Sequence, residues 1–301
     1  MKCAIIFLIM GLSAWCNAKP IYIDLSDLRP YSEELNKQEP FAGEAPYIST
    51  FTKSKFKLSF VAAEHVEGNK NSTCQTIKDE FKTGGFKFLL VEGMPFTKIN
   101  DEKQIHVTKE CIANNYKGCG EDNCAVQEAL SKKISFNYAE PDDLMIKSRI
   151  EQKNYTDREL LFFYGLRQIP QIIKQGAADE KTVKRRLNQY LENVANNRLF
   201  VDPIMKLDEF ENRFKDKLGR TLEYMKVDTD LVSPRVDENP EWSNKISFEV
   251  GQVREEFIAK MIEDRVNEYK KVIIVYGQGH LVKERIALQK AFSKVKNLKL
   301  Y

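Results

Sequence analysis

Histidine is scarce in this chain, which has three among 301 residues, and the short motifs of several enzyme classes are missing. There is no His-Glu-x-x-His pair for a helical zinc site, no Gly-x-Ser-x-Gly turn for a serine nucleophile and no glycine-rich loop for phosphates. Zinc proteases and serine hydrolases of those two motif types are therefore excluded, as are P-loop nucleotide hydrolases. An active site would have to be assembled from residues that lie far apart in the sequence.

The chain also lacks a strong charge of one sign and a tandem repeat. Its formal net charge is +3, and lysines are interspersed with aspartates and glutamates along its length. This balance gives no support to a nucleic-acid partner or a membrane-surface role. Beyond the N-terminal segment no apolar run approaches the roughly 20 residues of a membrane-spanning helix, so we expect no stable membrane anchor.

The N-terminus has the pattern of an export signal. Lys2 precedes an apolar run at residues 4–12, and small residues precede a cleavage point after Ala18. A basic residue, a short apolar core and small residues before the cut are typical of a secretory signal peptide. We predict that residues 1–18 are removed and that the mature protein is secreted or periplasmic.

The mature chain keeps four cysteines: Cys74, Cys111, Cys119 and Cys124. In an exported protein four cysteines predict two disulfides, and three pairings are open. We favour Cys119 with Cys124 and Cys74 with Cys111. A zinc knuckle is the more specific functional alternative, but no histidine follows closely behind Cys124.

Runs of consecutive apolar residues mark the strands of the predicted fold. Residues 272–275 form such a run, which is typical of a strand buried on both faces of a parallel sheet. Strands at Phe56–Ala63 and 86–91, joined by a helix at 72–81, form a unit that should be parallel and right-handed. Residues 134–138 add a third strand. The predicted fold class is therefore an α/β protein with a central, largely parallel sheet flanked by helices.

Helical periodicity fills much of the remaining chain. Residues 157–219 hold no strand pattern, so we expect an inserted helical block there, within a single domain at 51–301 that follows an N-terminal arm at 19–50. The arm should hold one short strand at 21–25, and an edge strand should close the chain at 298–301. The predicted helices are 123–131 in a polar insertion at 95–132, 159–174 with a kink at Pro170, 181–196, Leu207–Leu218, 240–269 as one helix or two joined at Gly251, and 282–293.

Three predicted strands end next to a side chain capable of chemistry. His65 follows the first strand, Glu92 the second, and His280 follows the strand near the C-terminus after a glycine turn at 277–279. The carboxyl ends of parallel strands meet at one edge of a sheet, where open α/β proteins bind ligands. Glu140, at the end of the third strand, is a fourth candidate, although an acid there also suits the start of the next helix.

Two imidazoles and a carboxylate are a normal ligand set for a divalent transition metal such as manganese, cobalt or zinc. The metal would activate a water molecule for hydrolysis, whereas without metal the same residues could act as acid and base. The structural alternatives are a core histidine for His65 and helix caps for Glu92 and His280. Arg254 either faces solvent or is a fixed cation that binds a substrate carboxylate or orients Glu92. His106 is expected on the surface.

Together these blocks resemble the superfamily that groups TIKI and TraB proteins with the erythromycin esterases and ChaN-like proteins. Its motifs are similar to four parts of this chain: Ala62-Ala63-Glu64-His65, Leu90-Val91-Glu92-Gly93, Arg254 with Met261, and Gly277-Gln278-Gly279-His280. The resemblance covers roughly the first and last quarters of the mature chain. It departs at Ala62, where the family has glycine, and at Glu255, where the family usually has Asp or Asn.

The resemblance implies the erythromycin esterase/ChaN-like fold and an activity that depends on the branch of the superfamily. TIKI members are metal-dependent proteases, erythromycin esterases use a His and Glu pair without an obligatory metal, and ChaN binds haem. In the TIKI-like branch His65, Glu92 and His280 hold the metal, and Arg254 helps to position a peptide or small-molecule substrate. The expected function is then that of a secreted, metal-dependent, peptidase-like hydrolase.

Two alternatives follow from the same resemblance. The first is a non-catalytic protein that binds haem, a small ligand or a partner, with Tyr138 or Tyr276 as the haem ligand. The second is a degenerate family member whose Ala62 marks lost activity.

Overall fold

A six-stranded sheet organises the protein in the computed structural model, which describes residues 19–41, 44–64, 72–95, 101–114, 119–197, 204–234 and 239–299. Its strands are Tyr47–Lys53 (β1), Phe56–Ala63 (β2), Phe88–Pro95 (β3), Ser135–Glu140 (β4), Lys271–Gly277 (β5) and Lys294–Leu298 (β6). They lie in the order β4, β3, β5, β2, β1, β6. The chain is thus an α/β protein with a mixed sheet.

Four neighbouring strands, β4, β3, β5 and β2, run parallel, which confirms the parallel part of the predicted sheet. β5 lies between β2 and β3. β1 and β6 are antiparallel to their neighbours and make the sheet mixed. In the register Ala63 lies opposite Gly277, and Val91 lies opposite both Val275 and Tyr138. The four parallel strands therefore end at one edge of the sheet.

Helices cover both faces of this sheet. Within the described ranges they are Glu33–Lys37 (α1), Ser72–Thr83 (α2), Asp101–Ala113 (α3), Glu121–Ser131 (α4), Asp143–Gln152 (α5), Asp157–Lys174 (α6), Glu180–Asn197 (α7), Leu207–Leu218 (α8), Trp242–Tyr269 (α9) and Gln278–Ala291 (α10). In the described part of the chain, no helix combines the length and the apolar character needed to span a membrane.

Burial on both faces of the sheet explains why the apolar residues of strand β5 are consecutive. Val272 and Ile274 pack with residues of α9 and α10 on one face of the sheet, whereas Ile273 and Val275 pack with residues of α2 and α4 on the other. All four are buried. Full burial of such a side chain contributes about 1.5–3 kcal/mol, so both layers are held to this central strand by hydrophobic packing.

Helices α6, α7 and α8 match the helices that were predicted for residues 157–219 to within two residues. α6 runs through Pro170 without a break, and α9 is one continuous helix through Gly251. The three helices share an apolar core of their own, and Phe163 and Tyr164 of α6 pack against α9. α3 was not predicted, because the polar composition of residues 95–132 masked its periodicity.

The N-terminal arm differs from its predicted structure. Ile21 and Ile23 are buried, but their backbone N–H groups donate to the side chains of Asn267 and Glu263 in α9, at 2.8 and 2.7 Å, rather than to a strand. The predicted strand at 21–25 is therefore wrong. β1 begins inside the predicted arm, and the last strand is β6 at Lys294–Leu298 rather than at 298–301, of which residues 300–301 lie outside the described ranges.

Both disulfides are present, but their pairing corrects the prediction. Cys74 of α2 is bonded to Cys124 of α4, and Cys111 of α3 to Cys119. The predicted pairs Cys119 with Cys124 and Cys74 with Cys111 are wrong. α2 and α4 pack side by side on one face of the sheet and bring two buried cysteines together, while Cys119 lies only 8 residues beyond Cys111.

Replacing Cys74 and Cys124 together by alanine should lower the free energy of unfolding by about 4 kcal/mol, since the bond spans 50 residues. Replacing Cys111 and Cys119 should cost about 2–3 kcal/mol, since that bond spans 8. Urea denaturation of the two double variants measures the difference. Peptide mapping without reduction checks the pairing, and a fragment joining Cys119 to Cys124 would contradict it.

Candidate functional site

A cleft of about 1010 Å³ opens at the edge where the parallel strands end. Glu92 of β3, directly after the last residue of β3 that pairs with β5, His280 in the first turn of α10 and Arg254 of α9 all line it, together with Arg167 of α6 and Lys283 of α10. The position agrees with the rule that open α/β sheets bind ligands at the carboxyl ends of their strands. Residues far apart in the sequence thus meet in one cleft.

Within the described residues, three groups from different elements hold Glu92. One carboxylate oxygen accepts a hydrogen bond of 2.7 Å from the backbone N–H of Gly277. The other oxygen lies 3.2 Å from an Arg254 guanidinium nitrogen and 3.5 Å from Nε2 of His280. The glycine turn after β5 therefore does more than change the direction of the chain, because its first residue fixes the carboxylate of the neighbouring strand.

Arg254 is a fixed cation and not a solvated helix residue. Its guanidinium donates two hydrogen bonds, of 2.9 and 2.6 Å, to the two carboxylate oxygens of Glu140. Tyr276 donates a further bond of 3.2 Å to Glu140. Burial opposes the charge of Arg254, but Glu140 and then Glu92 outweigh burial and raise the pKa of Arg254.

Glu140 therefore belongs to the cleft network through Arg254. The helix that follows it is capped by another residue, since Asp142 accepts a hydrogen bond of 2.8 Å from the backbone N–H of Met145 in the first turn of α5. The interpretation of Glu140 as a helix cap is wrong.

His280 is buried, and both of its ring nitrogens face carboxylates. Nδ1 lies 3.0 Å from Oε2 of Glu255 in α9, and Nε2 lies 3.5 Å from Oε1 of Glu92. The ring also packs edge-on against Tyr276, with 5.0 Å between ring centroids. These contacts hold the imidazole in one orientation, with Nε2 directed towards Glu92 at the cleft.

Glu255 supports His280 from behind. Burial acts to raise the pKa of Glu255, but the charges of His280 and Lys283 outweigh it and lower the pKa to about 2. The Lys283 ammonium lies 2.5 Å from the other oxygen of Glu255. Burial acts to lower the pKa of His280, and Glu255 raises it overall. The buried carboxylate thus stays ionised and favours a proton on the imidazole.

Two of the three predicted metal donors come together. The 3.5 Å between Nε2 of His280 and Oε1 of Glu92 suits two ligands of one ion, and a carboxylate behind the other ring nitrogen is the usual support of a metal-binding histidine. The third predicted donor, His65, lies outside the described residues. Among the residues that the structure does describe, no cluster of three potential ligands is found.

Ala62 lies within β2 opposite Tyr276 and is fully buried. Its φ is not positive, so the strand does not require a glycine there. The substitution that set this chain apart from the family pattern thus leaves the backbone leading to the cleft regular. It gives no support to the interpretation of a degenerate site.

The proposed haem ligands are badly placed for that role. Tyr138 packs against residues of α2 and α4, and Tyr276 packs on the opposite face of the sheet, with exposed fractions of 3% and 0%. Neither lines the cleft. His106, as expected, is exposed; it lies on α3 beside Glu110.

Sequence reasoning missed Lys283 and Arg167, and it recorded Glu255 only as a departure from the family pattern. No local pattern marks Glu255, because its role depends on the contact between α9 and α10. Nothing local marks Arg167, which reaches the cleft only because α6 packs against α9.

No protein-family model matches this chain, and neither does any curated protein or solved structure. The coarse α/β class, with helices on a mixed sheet, is established by the coordinates themselves. Inferences about function therefore rest on the chemistry of the cleft residues.

Glu284, one turn beyond His280 in α10, is fully buried, and neither of its carboxyl oxygens has a hydrogen-bond partner in the part of the chain that the structure describes. Burial, and then the charge of Glu255, raise the pKa of Glu284 well above its ordinary value. Glu284 therefore stays protonated in the folded protein to a higher pH than in the unfolded chain. A group of this kind makes the folded state less stable as the pH rises above the pKa of the unfolded chain.

The variant Glu284→Gln should remove this pH dependence. At pH 4 both proteins carry a neutral group at position 284. Above about pH 4.5 the wild type should lose roughly 1.4 kcal/mol per pH unit relative to the variant, until the group ionises in the folded state. Urea denaturation between pH 4 and 7 measures this divergence. Glu192→Gln on the exposed face of α7 controls for the loss of one charge, and parallel profiles for wild type and Glu284→Gln would refute the assignment.

Proposed function

We propose that this protein is an exported metal-dependent hydrolase that acts on peptide or amide bonds, in the TIKI/TraB-like branch of the superfamily named above. One observation carries the proposal. In the cleft Nε2 of His280 lies 3.5 Å from a carboxylate oxygen of Glu92, while Nδ1 is held by the buried Glu255. Two potential metal ligands thus lie close together, and the carboxylate that would orient the histidine ligand is already in contact with it.

The disulfides support the exported location. Bonds such as Cys74 to Cys124 and Cys111 to Cys119 persist in oxidising compartments and are rare in the cytosol. The expected signal peptide at residues 1–18 points to the same destination, secreted or periplasmic.

The metal would be manganese, cobalt or zinc, held by His280, Glu92 and His65, and when bound it would lower the pKa of a water molecule and polarise a carbonyl group. The remaining roles belong to the chain itself. Glu255 holds the proton on Nδ1 of His280, so the proton that a metal would displace is the one on Nε2, at the cleft. Arg254 and the Gly277 N–H fix the position of Glu92.

Glu92 has a second possible role: if His280 and His65 hold the metal without it, Glu92 would act as the general base and take up the proton that water releases as it attacks the substrate carbonyl. A general base has to lie within hydrogen-bond reach of the reacting water, and the carboxylate is already oriented into the cleft. Arg254 is then a positioning residue, since its guanidinium is occupied by Glu140 and Glu92. Of the two roles expected for Arg254 as a fixed cation, its contacts favour the orientation of Glu92 over direct binding of substrate.

The proposal predicts about one equivalent of metal per chain after dialysis and reloading with manganese, cobalt or zinc, and hydrolysis of at least one member of a fluorogenic peptide library. His280→Ala should abolish both, because a ligand is lost. Glu255→Gln should weaken metal binding by about 10- to 100-fold, because only the support of the ligand is lost. Elemental analysis and peptide hydrolysis measure the two effects.

His106→Ala is the matched control, since it removes an exposed histidine far from the network and should change neither quantity. The proposal fails if wild type retains no more metal than His280→Ala. Hydrolysis that survives in His280→Ala would also contradict it.

A further inference from the structure

A second cavity of about 230 Å³ adjoins the reaction cleft, and we call it the basic cavity. The two share four lining residues: Arg167, Gln171, Arg254 and Lys283. Three of these carry a positive charge. Within the described ranges no aspartate or glutamate lines the basic cavity. A positive wall therefore faces a space that is directly continuous with the candidate reaction centre.

Two of the three cations are already neutralised from behind. Arg254 is bonded to Glu140 and Glu92, and Lys283 lies 2.5 Å from Glu255. Arg167 differs. It makes no ion pair or hydrogen bond with any residue that the structure describes, and its guanidinium carbon lies 5.9 Å from the ring centroid of Phe163.

Burial of the Arg167 guanidinium is energetically unfavourable. Its side chain is half-buried in α6, and burial, together with the nearby charge of Arg254, lowers the pKa of Arg167. The charge of Glu140 offsets part of this effect, but Glu140 makes no ion pair with Arg167, and a desolvated cation without a paired acid is unfavourable in the free protein. An anion that enters the basic cavity would remove this penalty, so the cavity is arranged for a negatively charged ligand.

We propose that the basic cavity binds a carboxylate of the substrate and that Arg167 recognises it. This rests on the proposed hydrolase function and gives its substrate class: peptides with a carboxylate close to the bond that is cleaved. The planar guanidinium can donate two parallel hydrogen bonds to a carboxylate. Pro170, Val232 and Val250 supply apolar walls for the carbon atoms beside it.

The carboxylate has two sources, a free C-terminus or an acidic side chain. Isothermal titration with three acetylated peptides separates them: Ala-Ala-Ala with a free C-terminus, Ala-Ala-Ala amide, and Ala-Glu-Ala amide. At least one of the charged peptides should bind about 10- to 100-fold more tightly than the neutral amide, which is the usual effect of a hydrogen bond to a charged group. Arg167→Met should abolish that preference.

Arg185→Met, which removes an exposed arginine of α7, is the matched control and should keep the preference. Equal binding of all three peptides by wild type overturns the proposal, as does a preference that survives in Arg167→Met. Competition by inorganic phosphate alone, without binding of either charged peptide, also overturns the carboxylate assignment.

The titration does not need turnover, and mass spectrometry of the recovered peptides reports any cleavage. A carboxylate preference without hydrolysis supports the basic cavity while contradicting the proposed hydrolase. Hydrolysis without a carboxylate preference does the reverse. The two proposals therefore fail separately.

Thermal denaturation tests the alternative that Arg167 is a structural residue. Arg167→Met should leave the melting temperature of the unliganded protein unchanged or raise it, because no ion pair is lost. Arg254→Met should lower it clearly, because Glu140 and Glu92 lose their cation. A fall in Arg167→Met as large as that in Arg254→Met would overturn the proposal.

Discussion

The guanidinium of Arg254 is the interaction on which the site depends. It joins two adjacent strands to α9, because Glu92 lies in β3 directly after its pairing with β5 and Glu140 ends β4. Without this cation two carboxylates would face each other at the edge of the sheet. With it, both carboxylates are held against α9, and the position of the helix relative to the edge of the sheet is fixed.

Charges of alternating sign extend this arrangement across the cleft. From Glu140 the sequence of contacts runs through Arg254, Glu92, His280 and Glu255 to a lysine of α10. Buried ion pairs of this kind add little net stability, since desolvation offsets most of the attraction. Their value lies in orientation, because polar groups fixed before substrate arrives need no rearrangement during the reaction. We therefore interpret the network as a means of orienting polar groups at the cleft rather than as a source of stability.

The fold and the site were predictable to different degrees. Consecutive apolar residues revealed β5, and the rule that parallel strands end together placed Glu92 and His280 in one cleft. Disulfide pairing was not predictable, because it depends on which helices share a face of the sheet. Glu255 and Arg167 were out of reach for a related reason. Each acts through packing between elements, α9 on α10 and α6 on α9, and no local pattern records such contacts.

Two groups around the cleft are unfavourable for the folded protein itself, and they differ in kind. Glu284 lowers its cost by staying protonated, which removes the buried charge and leaves only the smaller penalty of an unsatisfied neutral carboxyl group. Arg167 cannot do so, because a guanidinium remains charged at any physiological pH even when burial lowers its pKa. An anion bound in the basic cavity would add to the partial compensation that Glu140 provides. Since the helical block carries Arg167 to the cleft on α6, that block contributes chemistry as well as a wall. If both proposals hold, the inserted helices recognise the substrate and the edge of the sheet carries out the reaction.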